Sequence, residues 1–238
     1  MSMEHSSAAR ERKDHLDAIF GILKILACLR PRGGVSWCFR GQSDENWPLL
    51  PKAGRPPLDK DKGLGKGKLF VWEQQAIAFE QIPDNPWERM AIAQHHGLAT
   101  RLLDWTYNPL VALYFSANEH HECDGGVFIY SAKRFVDAKT TTLDLPPGES
   151  GVYMPRNINP RIHSQSGVFT YHSDPTIPLR AEQMEGFDKP KSNLSKITIK
   201  ADYKPALLET LDTFGINEAF LFPGLDGLSR HINWKYKA

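Results

Sequence analysis

No stretch of the 238-residue chain approaches the roughly 20 consecutive apolar residues that cross a bilayer. The opening segment, MSMEHSSAARERKDH, has no apolar run of signal-peptide length. Cysteine is scarce. Cys28, Cys38 and Cys123 fit no zinc-binding spacing, and an odd count argues against a disulfide framework. An excess of charge is also missing: Lys and Arg total 29 against 28 Asp and Glu, so no global field draws the chain to nucleic acid or membrane. No internal repeat is visible. The glycine-rich GLGKGK stretch lacks the Gly, Lys and Ser/Thr spacing of a phosphate loop. These absences predict a soluble protein of the reducing cytoplasm, with Cys28 and Cys38 as reduced core residues and no membrane partner.

What is present suits a folded domain. Apolar residues make up 41% of the chain, enough to build a core. Residues 14–30 carry Leu16, Ile19, Phe20, Leu23 and Leu26 at helical spacing, and Pro31–Gly34 stops the helix. Residues 1–34 are therefore expected as a helical appendage, with the main domain at 35–238. A strand is expected at Ser36–Arg40 and a surface loop over 54–68, whose lysines could touch a polyanion. Further helices are expected at Leu69–Gln81, from an Asn85 cap with Pro86 and Glu88 completing a capping box, and from Asn108 with Pro109 in the first turn. Strands are expected at Val127–Tyr130 and Leu194–Lys200, loops over 136–195, and a helix at Pro205–Phe214. Ala219–Phe222 reads as a short strand or a helix start, and Leu225–Trp234 as a helix. Strands mixed with helices, without a βαβ rhythm, predict an α+β fold with a mixed or mainly antiparallel sheet flanked by helices.

The segment QHHGLATRLLDWTYNP, residues 94–109, carries the densest polar chemistry. Gln94, His95, Arg101, Asp104 and Thr106 interleave with Leu98, Leu102, Leu103 and Trp105. Polar side chains flanked in this way are partly buried and need partners. Arg101 and Asp104 could pair, and Thr106 and Asn108 stand at the positive end of a buried helix, where an anion is favoured. A purely structural network would account for the same residues. His95–His96 is no metal motif, because adjacent side chains point apart; no metal is expected.

The tetrapeptide Phe39–Gln42, FRGQ, resembles the motif that names the FRG domain family. The run Ala93–Ala117, AQHHGLATRLLDWTYNPLVALYFSA, resembles the central motif of that family. NPRIHSQSGVF (Asn159–Phe169) and GINEAFLFPGLDGLSRHI (Gly215–Ile232) resemble its closing elements, so the likeness covers roughly residues 35–232. A second resemblance is to ADP-ribosyltransferases. These carry an Arg after an aromatic on an early strand, as in Phe39–Arg40–Gly41. A Ser-Thr-Ser-like strand and an A-x-x-F helix follow, as in Trp105–Thr106 and Ala112–Phe115. A Glu then precedes an apolar strand, as Glu218 precedes Phe220–Leu221–Phe222. Here Thr106 alone stands for Ser-Thr-Ser, and Glu218 is one residue out of register.

That resemblance implies an ADP-ribosyltransferase-like split sheet and NAD as substrate. Arg40 would hold the pyrophosphate, and Glu218 would stabilise the positive charge that develops as nicotinamide leaves. Thr106 would serve at the same centre, and Trp105 or Tyr114 would stack on nicotinamide. Gln94 and His95 would bind ribose hydroxyls or position a protein or nucleic-acid acceptor. Gln42, Arg101 and Asp104 complete the expected ligand-binding set. Arg40, His95, Arg101, Asp104 and Thr106 are expected to converge on one cleft, bordered by Arg161 and Gln165. Two alternatives remain open: a nucleotide- or nucleic-acid-binding module without catalysis, and a hydrolase using His95 as base with Asp104 orienting it.

Overall fold

Strand β1 (Ser36–Gln42) organises the molecule, and its alternation decides what lies on each side. In the computed structural model, which describes residues 13, 15–24, 26–27, 29, 36–60, 65–132, 135–143, 150–156, 160–180, 182–183 and 193–237, this strand is central to a seven-stranded sheet. Along its whole length β1 pairs antiparallel with β3 (Gly125–Ala132), from Ser36 opposite Ala132 to Gln42 opposite Gly126. Beyond β3 lie β7 (Leu194–Ile199) and the short β6 (Glu182–Gln183); β6–β7 is the parallel pair. On the other flank, β2 (Leu102–Thr106) is followed by β5 (Gly167–His172) and β4 (Ser150–Tyr153), giving the order β4-β5-β2-β1-β3-β7-β6. The fold is thus α+β with a mainly antiparallel sheet.

The join between the two flanks is minimal. β1 and β2 share one registered pair, Phe39 opposite Thr106. A full antiparallel ladder would bond alternate residues along both strands. Here the strands meet once and part, so the sheet is nearly split in two.

Helices fill the faces. Residues 15–24 form α1, whose Ile19 and Ile22 enter the main core beside Phe39, Leu113, Ile129 and Leu211. α1 thus contributes side chains to the core built on the sheet. The Pro31–Gly34 stop and Cys28 lie outside the described residues. Helix α2 (Lys66–Ala76) starts and ends earlier than its apolar spacing predicts. Helix α3 (Pro86–His95) opens on Asn85, whose side chain accepts from Trp87 N at 2.9 Å and Glu88 N at 3.3 Å. The capping box is not completed: Glu88, buried, takes a two-bond clasp from Arg156 instead. A bidentate guanidinium outcompetes a single backbone N–H for a buried carboxylate. Gly97, at φ +91, stops the helix.

Helix α4 (Pro109–Ala117) is capped by Asn108, which accepts from Leu110 N at 3.0 Å. It packs flat on β1 and is buried over most of its length. Helix α5 (Pro160–Ser164) and strand β5 fall in the region that composition marks as loop. Helix α6 (Lys204–Thr213) brings in Lys204, whose fully buried ammonium donates to Ser43 O (2.7 Å), Glu119 O (3.2 Å) and His120 O (2.7 Å). Three carbonyls replace the lost water shell, and the residue pins the end of β1 to the end of α4. The apolar run after Glu218 is helical, α7 (Glu218–Leu221), followed by α8 (Leu225–Lys235). Among the described residues no helix is long and apolar enough to cross a membrane.

Gly41 shows how tightly α4 is seated. A Cβ there would stand 1.9 Å from Ala112 O and 2.6 Å from Ser116 N, both backbone atoms. Gly41→Ala must therefore push α4 off β1. It is expected to cost about 3 kcal/mol or more, read as a large drop in the thermal unfolding midpoint. A midpoint within a few degrees of the parent would contradict this packing.

Candidate functional site at the split of the sheet

Past the Phe39–Thr106 pair, β1 and β2 diverge, and Arg40 is the next residue on β1. Its Nη1 donates to Asp104 O at 2.8 Å and its Nε to Gln42 Oε1 at 3.2 Å. The guanidinium thus bridges the two strands where their own ladder has stopped. Burial draws its pKa down to about 10, against the opposing pull of Asp104 and with Arg55 adding to the effect. Gln42 is anchored in turn by donating to Trp47 O at 2.8 Å. It does not line the cleft; it holds Arg40.

The gap opens into a cleft of about 340 Å³. Arg40, Asp104 and Thr106 line it from the strands, and Gln94 and His95 from the end of α3. Arg161 and Gln165 line it from α5 and the turn that follows, and Lys52 and Arg55 from the loop after β1. Phe39, Trp105, Phe115 and Phe169 supply aromatic surface. Most of the expected residues are thus brought together, although Arg40 precedes the others by more than fifty positions.

Local folding explains each placement. The Gln94 side chain reaches β2, donating from Nε2 to Asp104 Oδ1 at 2.8 Å. Its own Oε1 receives the Thr100 hydroxyl, whose oxygen accepts from Leu102 N at 3.1 Å. Thr106 donates to Gln165 O at 2.6 Å and accepts from Asn108 N at 2.9 Å. Its hydroxyl therefore ties the turn before α4 to the turn before β5. Gln165 Nε2 donates to Leu221 O at 3.0 Å, and the Arg161 guanidinium lies 4.5 Å from the centre of the Phe222 ring. α7 thus backs this wall of the cleft.

Four expected residues are placed differently. Arg101 faces a second cavity of about 280 Å³, with Nη1 donating to Ser173 O at 2.9 Å and Tyr171 Oη at 3.3 Å. Tyr171, within β5, and Ser173, just past its end, take this nitrogen rather than the Asp104 carboxylate. Glu218 opens α7, outside the cleft lining, where it is ion-paired with Arg230. Trp105 borders the cleft but is buried in the core, its indole N–H donating to Thr170 Oγ1 at 2.9 Å. That bond fixes the ring within the sheet layer. Tyr114 is buried in the main core and does not line the cleft. Lys52 and Arg55 also belong to the cleft; Arg55 falls in the loop expected over 54–68, and Lys52 precedes it. The density of cations after β1 was the available signal.

The electrostatics are unbalanced. Arg40, Arg55 and Arg161 are each held below the ordinary guanidinium range by burial, and each feels Asp104 as the compensating charge. His95 is held below the ordinary imidazole value by burial, then by His96 and Arg161, so it is neutral at pH 7. Among the described residues, no cluster of His, Cys, Asp and Glu could hold a metal ion.

Fold and site together define an α+β protein with a basic cleft where its sheet divides. The chain carries an FRG domain: residues 35–125 match the model of that family. The match runs from the start of β1 to the start of β3. It includes Arg40, Gln94, His95, Asp104 and Thr106, whereas Arg161 and Gln165 lie beyond it. No curated protein and no solved structure matches the chain.

One titration is expected near Arg40. His172 ends β5, is 3% exposed, and shares a 3.0 Å hydrogen bond with Thr170. Burial, aided by Arg40, holds its pKa down at about 4. With the unfolded value near 6.5, the unfolded chain takes up the proton first. Stability is therefore complete above about pH 6.5 and falls as pH drops toward 4, by about 3 kcal/mol in all. Urea unfolding at pH 7, 6 and 5 should show this slope, and His172→Gln should flatten it. An equal slope in both proteins would contradict the assignment.

Proposed function

We propose that the cleft binds a nucleotide of the NAD class and that the chain is an ADP-ribosyltransferase-like enzyme. One observation carries this reading. Where the sheet splits, Arg40, Arg55, Arg161 and Lys52 surround a single carboxylate, Asp104. Such a set of cations suits a phosphate-bearing ligand, since guanidinium groups clamp phosphate through paired charge-assisted hydrogen bonds. The near-split sheet, with an Arg after an aromatic on its first strand, supports the same reading. The aromatic lining gives a ring a surface to lie on, and a cleft of this size suits a mononucleotide or one half of a dinucleotide.

The roles follow from position. Arg40 and Arg161 hold phosphate oxygens. Glu218 is outside the cleft, so the charge-stabilising carboxylate is Asp104. As the bond between ribose and nicotinamide breaks, nicotinamide departs with the bonding electrons and positive charge develops on the ribose. A fixed carboxylate stabilises that charge without reorganising. Water or an acceptor nucleophile then closes the ribosyl centre and releases a proton. Neutral His95, at the end of α3, is placed to receive it.

A binding role without turnover is favoured by one observation: the Thr106 hydroxyl is spent on Gln165 O and Asn108 N rather than turned to a ligand. Incubation with NAD separates the readings. The enzyme reading expects NAD loss with release of nicotinamide. Arg40→Ala is expected to weaken NAD binding by about tenfold or more, and Asp104→Asn to lower turnover at saturating NAD about a hundredfold. NAD binding without nicotinamide release selects the non-catalytic reading. Absence of NAD binding by the wild-type protein would contradict both.

A further inference from the structure

The Asp104 carboxylate stands in a basic cleft, yet among the described residues the bond to its side chain comes from an amide and not from a cation. Arg40, Arg55 and Arg161 act on it through space. Among the described residues, its side-chain partner is the neutral amide of Gln94, at 2.8 Å on Oδ1. That amide is itself locked. Leu102 N–H donates to Thr100 Oγ1, and the Thr100 hydroxyl donates to Gln94 Oε1. This settles the orientation of the amide and turns its N–H toward Asp104. Thr100 is buried while Asp104 is exposed, so the chain of bonds runs from the core to the cleft. Three linked hydrogen bonds, none of them from a cation, hold Oδ1 and leave Oδ2 without a protein partner among the described residues.

We infer that Asp104 is the sugar-recognition residue of this site, taking the vicinal hydroxyls of a ribose, with Gln94 and Thr100 as positioning residues. The inference rests on the nucleotide reading above and narrows it to ribonucleotides. A carboxylate is acceptor-only. Of the charged groups lining the cleft it is the one that receives hydroxyl protons, and the surrounding cations are the ones that take phosphate. The two functions are adjacent, because the Arg40 guanidinium is bonded to the backbone carbonyl of Asp104 itself. A 5′-nucleotide presents phosphate and the 2′,3′-hydroxyl pair on opposite sides of one sugar ring, a span short enough for neighbouring protein groups to meet both. Gln94 consequently does not bind the ribose directly, as its place on the helix end suggests; it aims the carboxylate that does.

The test is calorimetric titration of the full chain with AMP, 2′-deoxy-AMP and 3′-deoxy-AMP, with NAD titrated alongside. Wild-type protein is expected to bind AMP about tenfold or more tighter than either deoxynucleotide, the strength of hydrogen bonds to a charged acceptor. Asp104→Asn should bring the three affinities together mainly by weakening AMP. Thr100→Val should lower the preference for AMP, and Thr100→Ser should restore it, a pattern that a purely structural threonine would not give. Thermal unfolding of each variant accompanies the titrations. If Thr100→Val fails to fold, Gln94→Leu provides the second arm, with the same expected loss of preference. Equal wild-type affinity for AMP and its deoxy forms would overturn the inference while leaving nucleotide binding in place. An unchanged preference in Asp104→Asn would overturn it too and make Asp104 a group that acts only on the reacting atoms. Failure of both AMP and NAD to bind would overturn the inference together with the nucleotide reading.

Discussion

The bond from Arg40 to the carbonyl of Asp104 governs the rest of the structure. β1 and β2 form one registered pair and then separate. The unpaired backbone groups beyond that pair would be costly to bury unsatisfied. A guanidinium meets one of them and leaves a basic side chain at the floor of the opening. The same residue therefore holds the half-sheets together and charges the space between them. Gln42 and Trp47 serve this arrangement from one side, and Gly41 serves it from the other by letting α4 lie against the strand.

Such an arrangement places binding chemistry at a structural discontinuity. Ligand sites favour the places where a sheet's regular pairing is interrupted, because side chains and backbone groups there are not consumed by the ladder. The walls of this cleft come from elements far apart in sequence: the loop after β1, the end of α3, β2, and the turn before β5. Each is fixed by bonds that do not involve a ligand, including Thr106 to Gln165 and Gln165 to Leu221. The cleft is thus largely formed before anything enters it, which lowers the ordering cost of binding. Its lining carries a surplus of cations over one carboxylate.

Much of this was legible in the residues. Asn85 and Asn108 announced their helices because capping is local: the side chain reaches backbone only two or three positions ahead. The polar residues between α3 and α4 announced a shared site because so many polar groups interrupt an apolar stretch. The partners of those groups were not legible. Arg101 and Asp104 are three residues apart and of opposite charge, yet Ser173 takes one and Gln94 the other. Those choices are made by the fold. Strand β5 was hidden for a similar reason: its identity depends on pairing with β2 and β4, while its flanking Ser, Gly and Asn read as loop. The run after Glu218 fits strand and helix equally over so few residues. The sign that decides it was present in Asn217, whose side chain caps Phe220 N at 3.0 Å.

We propose the opening between β1 and β2 as a nucleotide site built on Arg40 and Asp104. A crystal structure of the chain with ADP-ribose tests it most directly. Phosphate density is expected within hydrogen-bonding distance of the Arg40 guanidinium, with a ribose whose hydroxyls meet the Asp104 carboxylate. Ligand bound elsewhere, with Arg40 touching only Gln42 and the Asp104 carbonyl, would contradict it.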